Sequence, residues 1–126
     1  MEWRIADDSP IYVQLARQLR RGIASGEYRP GEKLPPVREL AFSAGVNPNT
    51  MQRAMTELER EGLVFPQRTS GRFVTEDAEL ISRARDRLAK EETRRYLAAM
   101  RSIGGTPEEI SGLISELSEE GNDAEF

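Results

Sequence analysis

Three residues, Gly45, Val46 and Asn47, separate two stretches of helical apolar periodicity, and this spacing constrains the fold more than any other feature. Before them, Val37, Leu40 and Ala41 mark the inner face of a short helix over residues 36–44. After them, Met51, Ala54, Met55 and Leu58 recur at i, i+3, i+4 and i+7, the core-facing stripe of a second helix. Asn47 is its expected N-cap and Pro48 its first helical residue, where the missing N–H costs nothing. Glu61-Gly62 stops it. Two helices joined by about three residues with a glycine fit a helix-turn-helix.

The flanking segments complete the unit. A first helix is expected from Ser9 as N-cap and Pro10 as first helical residue. Ile11, Leu15, Leu19 and Ile23 form one buried stripe, weakened by Gly22 and ended near Ser25-Gly26. The connector "EYRPGEKLPP" turns at Pro30-Gly31. "LVFP", "QRTSG" and "RFVT" read as two strands around a polar loop, with Pro66 ending the first strand and Gly71 in the loop. Three helices and a hairpin in this order predict a mainly α fold with a small β-hairpin, a winged helix-turn-helix over residues 1–77.

Residues 78–126 change character and are expected to form a two-helix dimerisation tail. A long charged helix over 78–103 carries Leu80, Ala84 and Leu88 on one stripe and Ala89, Leu97 and Met100 on a shifted one. Gly104-Gly105 breaks it. "TPEE" at 106–109 is a capping box with proline at the first helical position, and Ile110, Leu113, Ile114 and Leu117 line one side of the last helix. Two such helices lack a sizeable core of their own. Leu97, Met100 and that last stripe are therefore the expected dimer contacts, with "EEGNDAEF" expected to be disordered.

The composition excludes much chemistry. There is no cysteine and no histidine, which removes disulfides, thiolate zinc sites, cysteine nucleophiles and the commonest general base. The chain has no phosphate-binding glycine loop, nucleophile elbow or metal-spaced ligand cluster, and its paired acids on charged helices read as solvated surface. No enzymatic activity, cofactor or metal is expected. No apolar run reaches the ~20 residues of a membrane span, and no secretory leader opens the chain, so a cytoplasmic protein is expected. The net charge is −4, but residues 1–77 hold 11 bases and 11 acids, so the acid excess lies wholly in the tail half.

Until Glu57, the outer face of the 48–60 helix carries only Asn49, Gln52, Arg53 and Thr56, with Thr50 at its edge. Phosphates repel carboxylates, so a surface that meets a duplex should exclude them. Amides can both donate to and accept from adenine, while arginine suits guanine or phosphate. Arg38 on the preceding helix is placed to reach a phosphate. Arg68 and Arg72 flank the loop tip of Thr69, Ser70 and Gly71, a slim element suited to the minor groove. The partner so implied is double-stranded DNA. The alternatives are an ordinary polar helix surface and a winged-helix protein-interaction module without DNA binding.

Residues 10–75 resemble the DNA-binding domain of GntR-type bacterial transcription regulators, through "PIYVQLARQLRRGIASGEYRPGEKLPPVRELA", "VNPNTMQRAMTELEREGLV" and "SGRFV". The short two-helix tail and "GVNPNT" are most similar to the YtrA subgroup, which lacks the large ligand-binding domains of other members. The resemblance implies a homodimer, built through the tail, that binds a two-fold operator, usually as a repressor. It implies DNA contacts at Arg38, at Asn47, Asn49, Thr50, Gln52 and Arg53, and at the wing tip with Arg68, Ser70, Gly71 and Arg72. It names no effector. Pro36 departs from the serine cap common in the family, and Thr69 from the first of two wing glycines.

Overall fold

The computed structural model describes residues 1–68 and 70–123. Five helices and one hairpin follow in the order α1 (Ile11–Ser25), α2 (Val37–Ala44), α3 (Pro48–Arg60), β1 (Val64–Gln67), β2 (Gly71–Val74), α4 (Ala78–Ser102) and α5 (Pro107–Asp123). The chain forms two compact units, the first from Met1 to Leu88 and the second beginning at Ala89.

The core of the first unit is built where the apolar periodicities meet. Leu15, Leu19 and Ile23 of α1, Met51, Met55 and Leu58 of α3, and Leu63, Val64 and Val74 of the hairpin are fully buried. At about 1.5–3 kcal/mol for each large apolar side chain removed from water, this cluster dominates the unit's stability. Ile11, expected on the same stripe, stands largely exposed in the first turn of α1, beyond the reach of that cluster.

Gly22 does not simply weaken α1. It is buried, and a Cβ there would lie 2.9 Å from the ring of Tyr28. The missing side chain lets the chain fold back, with the Tyr28 N–H donating to the Gly22 carbonyl at 3.0 Å.

Ser9 is not the N-cap of α1. Pro10 takes that position without a side-chain cap bond. The Pro10 carbonyl accepts from the N–H groups of Val13 and Gln14, while the Ser9 carbonyl accepts from the Gln14 amide. Gln14 and Gln18 belong to a device that periodicity does not reveal. The Gln14 side chain accepts from the Ala6 N–H and donates to the Ala6 carbonyl, both at 2.7 Å. Gln18 treats Arg4 in the same way, at 2.9 and 2.7 Å. Two amides one helical turn apart thus bind the N-terminal arm as a strand would. Beyond them the Trp3 indole N–H donates to the Ser43 hydroxyl of α2 at 3.0 Å.

The β1–β2 ladder is antiparallel and pairs Val64 with Val74 and Pro66 with Arg72. Pro66 therefore lies inside the strand rather than at its end. The reason is its place in the alternation. Val74 donates to Glu32 and Arg72 accepts from Leu34, so positions 72 and 74 turn their backbone groups toward the connector and not toward β1. Opposite such a position, a residue without an N–H loses no ladder bond. The Lys33–Phe73 bridge makes the connector a short third edge of the wing.

In α4 the buried stripe is Ile81, Ala84 and Leu88, with Leu80 only half-buried, one position away from the expected phase. The Arg85 guanidinium donates to the Ala24 carbonyl at 3.0 Å, holding this stretch to the end of α1. Within the second unit, the α5 capping box forms as its spacing predicts: Thr106 N–H donates to Glu109 and Glu109 N–H to the Thr106 hydroxyl. Helix α5 runs through Glu119 to Asp123, so this part of "EEGNDAEF" is helical. Ala124, Glu125 and Phe126 lie outside the described residues.

Candidate nucleic-acid interface

The helix-turn-helix is made by the α2–α3 corner. Gly45 adopts φ 70°, the left-handed conformation that only glycine takes without strain. Its N–H and that of Val46 satisfy the last carbonyls of α2. Two residues later Asn47 caps α3, its side chain accepting from the Asn49 N–H at 2.7 Å. Pro36 leaves α2 without a side-chain cap, and its carbonyl accepts from the Leu40 N–H instead.

With Met51, Ala54, Met55 and Leu58 all fully buried, the opposite face of α3 must point outward. Asn49, Gln52, Arg53 and Thr56 are exposed, and Thr50 is half-buried at the edge. The first turn of α3 contains no acid. The helix dipole therefore adds positive potential to the end bearing the amides. Thr56 donates to the Gln52 carbonyl at 3.0 Å, keeping its hydroxyl along the helix. The acids near the end of α3 are paired: Glu57 with Arg60 at 3.1 Å, Glu59 with Arg72 and Glu61 with Arg20, each at 2.5 Å.

The basic residues separate into two groups. Arg38 on α2 and Arg68 at the wing are exposed, as are Ser70 and Gly71. Arg72 is largely buried and bound to Glu59, so its guanidinium fastens the hairpin to α3. Thr69 lies outside the described residues. Two neighbours of these residues were not legible in the sequence. Lys33, on the connector edge, is exposed and its Cε would sit 3.2 Å from a Cβ at Gly71. Tyr12 of α1 carries the Arg53 guanidinium over its ring, 3.8 Å from the centroid. Neither contact has a periodic signature, because each joins residues distant in the chain.

In the second unit, Ile110 is already buried at 7% exposure, and Leu97 and Met100 are half-buried. Leu113, Ile114 and Leu117 are 37%, 53% and 56% exposed. With Thr93 and Tyr96 of α4 they line a mostly apolar groove of about 520 Å³. Among the described residues no helix is long and apolar enough to cross a membrane.

A three-helix unit with a two-stranded wing and a third helix whose outward face starts without acids defines a winged helix-turn-helix of the transcription-regulator type. The family model "Bacterial regulatory proteins, gntR family" matches residues 11–74, just over half of the chain. The chain belongs to this family. It is 38% identical over 121 residues to the uncharacterized HTH-type transcriptional regulator YhcF of Bacillus subtilis, covering 96% of this chain and all of YhcF. It is 34% identical to the HTH-type transcriptional repressor YtrA of the same organism, covering 87% of this chain and 85% of YtrA.

Among solved structures, a GntR family transcriptional regulator from Listeria monocytogenes superposes with a TM-score of 0.80 at 35% identity, covering 89% of this chain and 98% of that one. The AraR DNA-binding domain in complex with operator ORX1 superposes with a TM-score of 0.52 at 26% identity, covering 60% of this chain and 92% of that one.

Proposed function

We propose that the protein is a cytoplasmic, homodimeric, sequence-specific DNA-binding repressor that recognises a two-fold operator. The observation that carries this reading is the outward face of α3, exposed along Asn49, Gln52, Arg53 and Thr56 and free of carboxylates through its first turns. The operator complex of AraR and the repressor YtrA support it.

In this reading α3 enters the major groove. Asn49 and Gln52 address adenine edges, Arg53 addresses the O6 and N7 of a guanine, and Asn47 and Thr50 lie at the helix start against the backbone. Arg38, Lys33, Arg68 and Ser70 contact phosphates and Gly71 lets the wing approach closely, setting register without reading sequence. Arg72 acts from behind, through Glu59. Leu113, Ile114 and Leu117, bordered by Leu97, Met100 and Ile110, provide the dimer contact. The two reading helices would then meet half-sites about one helical turn apart, ~34–36 Å.

Selection of bound duplexes from a random pool tests this directly. The expected product is an inverted repeat whose affinity falls with salt at a slope of about −0.9 per phosphate contact. Arg53→Ala should weaken binding to it by ~1–3 kcal/mol. Failure to enrich any duplex would replace this reading with a protein-interaction role.

A further inference from the structure

We propose that Tyr12 is a positioning residue for DNA recognition: its ring holds the Arg53 guanidinium in reading geometry and so sets specificity at one G·C pair. This inference rests on the DNA-binding function proposed above.

Tyr12 lies on α1, outside the helix-turn-helix, and its half-buried side chain is anchored next to the buried Leu15–Leu19 stripe. Arg53 lies on the exposed face of α3, and its Cζ stands 3.8 Å from the Tyr12 ring centroid, well inside the range of a cation–π contact. No hydrogen bond or ion pair engages the Arg53 side chain among the described residues. The ring is therefore its partner within the protein.

The geometry of the contact matters. Stacking uses the flat face of the guanidinium and leaves the in-plane N–H edge available. That edge is the part that makes two parallel bonds to guanine O6 and N7. An arginine without such a support must lose several rotamers when it docks. One already resting on a ring has lost them beforehand, and the affinity it gains appears only where the guanine is present to accept. The contrast with Arg72 is instructive. Its Nε–H donates to Glu59, so it is positioned by one of its donors rather than by its flat face.

The test uses the full chain and the duplex selected by the wild-type protein, together with every single-base-pair variant of that duplex. Tyr12→Leu and Tyr12→Gln both remove the ring face, and thermal melting verifies that each is folded. At the base pair whose discrimination Arg53→Ala abolishes, both variants should weaken binding about 3- to 10-fold. They should leave the salt slope and the affinity for duplexes lacking that pair unchanged. Tyr12→Phe keeps the face and should bind as wild type. In an Arg53→Ala background, Tyr12→Leu should have no further effect.

An equal loss on all duplexes, or a full loss in the Arg53→Ala background, would overturn the proposal and leave Tyr12 a structural residue. Unaltered discrimination in Arg53→Ala would overturn it too, while sparing DNA binding through Asn49 and Gln52. Only a failure to recover any duplex would count against DNA binding itself.

Discussion

At the scale of single residues, Gly22 and Tyr28 make one packing unit with two measurable consequences. In an exposed helix interior, glycine to alanine gains about 1 kcal/mol. Here the added Cβ would meet the Tyr28 ring at 2.9 Å. Overpacking of a buried ring costs about 1–3 kcal/mol. Gly22→Ala is therefore expected to lower stability by about 1 kcal/mol, seen as an earlier urea midpoint with unchanged slope. Burial of Tyr28, and then the nearby Glu27 and Glu32 carboxylates, raise its phenol pKa above the ordinary value of 10.0. The folded state thus holds this proton more tightly than the unfolded chain. The contribution is fully present below about pH 10 and fades as pH rises toward the folded-state value. Tyr28→Phe should flatten that part of an alkaline stability profile.

At the scale of elements, one ion pair fastens the outer part of the wing to α3, beyond the buried Val64 and Val74. Glu59 and Arg72 are both mostly shielded from water, so removing one leaves the other charge poorly solvated. Arg72→Ala should raise hydrogen exchange at Phe73 and Leu34 and lower stability by about 1 kcal/mol, whereas exposed Arg68→Ala should leave both unchanged. If Arg68 meets a phosphate, that variant instead reduces the salt slope of DNA binding by about one. The elements themselves were legible in the sequence because periodicity and caps act locally: Asn47, Pro48, Gly45 and the Thr106–Glu109 box stand where their chemistry places them. The phase of α4 was harder to read. Leu80 and Ile81 are adjacent, about 100° apart on a helix, and both are apolar, so only packing decides that Ile81 is buried. The fastenings Arg72–Glu59, Tyr12–Arg53 and Gln14–Ala6 join separate segments and leave no spacing to detect. The outward face of α3 was therefore visible in the sequence and the contacts that hold its surroundings were not.

At the scale of the whole molecule, the proposed dimer relies on an apolar strip that the protomer leaves uncovered. Ile114→Glu combined with Leu117→Glu should turn the sedimentation profile monomeric while preserving helical content, because neither side chain is part of a protomer core. A monomer would still hold one reading helix, so affinity for a two-fold site should fall steeply and affinity for a half-site should not. The docked N-terminal arm carries a different implication. Its grip comes from carboxamides that both give and take, and a carboxylate can only take. Gln14→Glu would set a negative oxygen against the Ala6 and Ser9 carbonyls, and the leading residues would peel away with Trp3, uncoupling them from Ser43. Residues 3–6 thus act as a brace on α2, the helix that precedes α3. Disturbing residues 3–6 would therefore be felt through Ser43 at the α2–α3 corner, well away from the point of change in the chain.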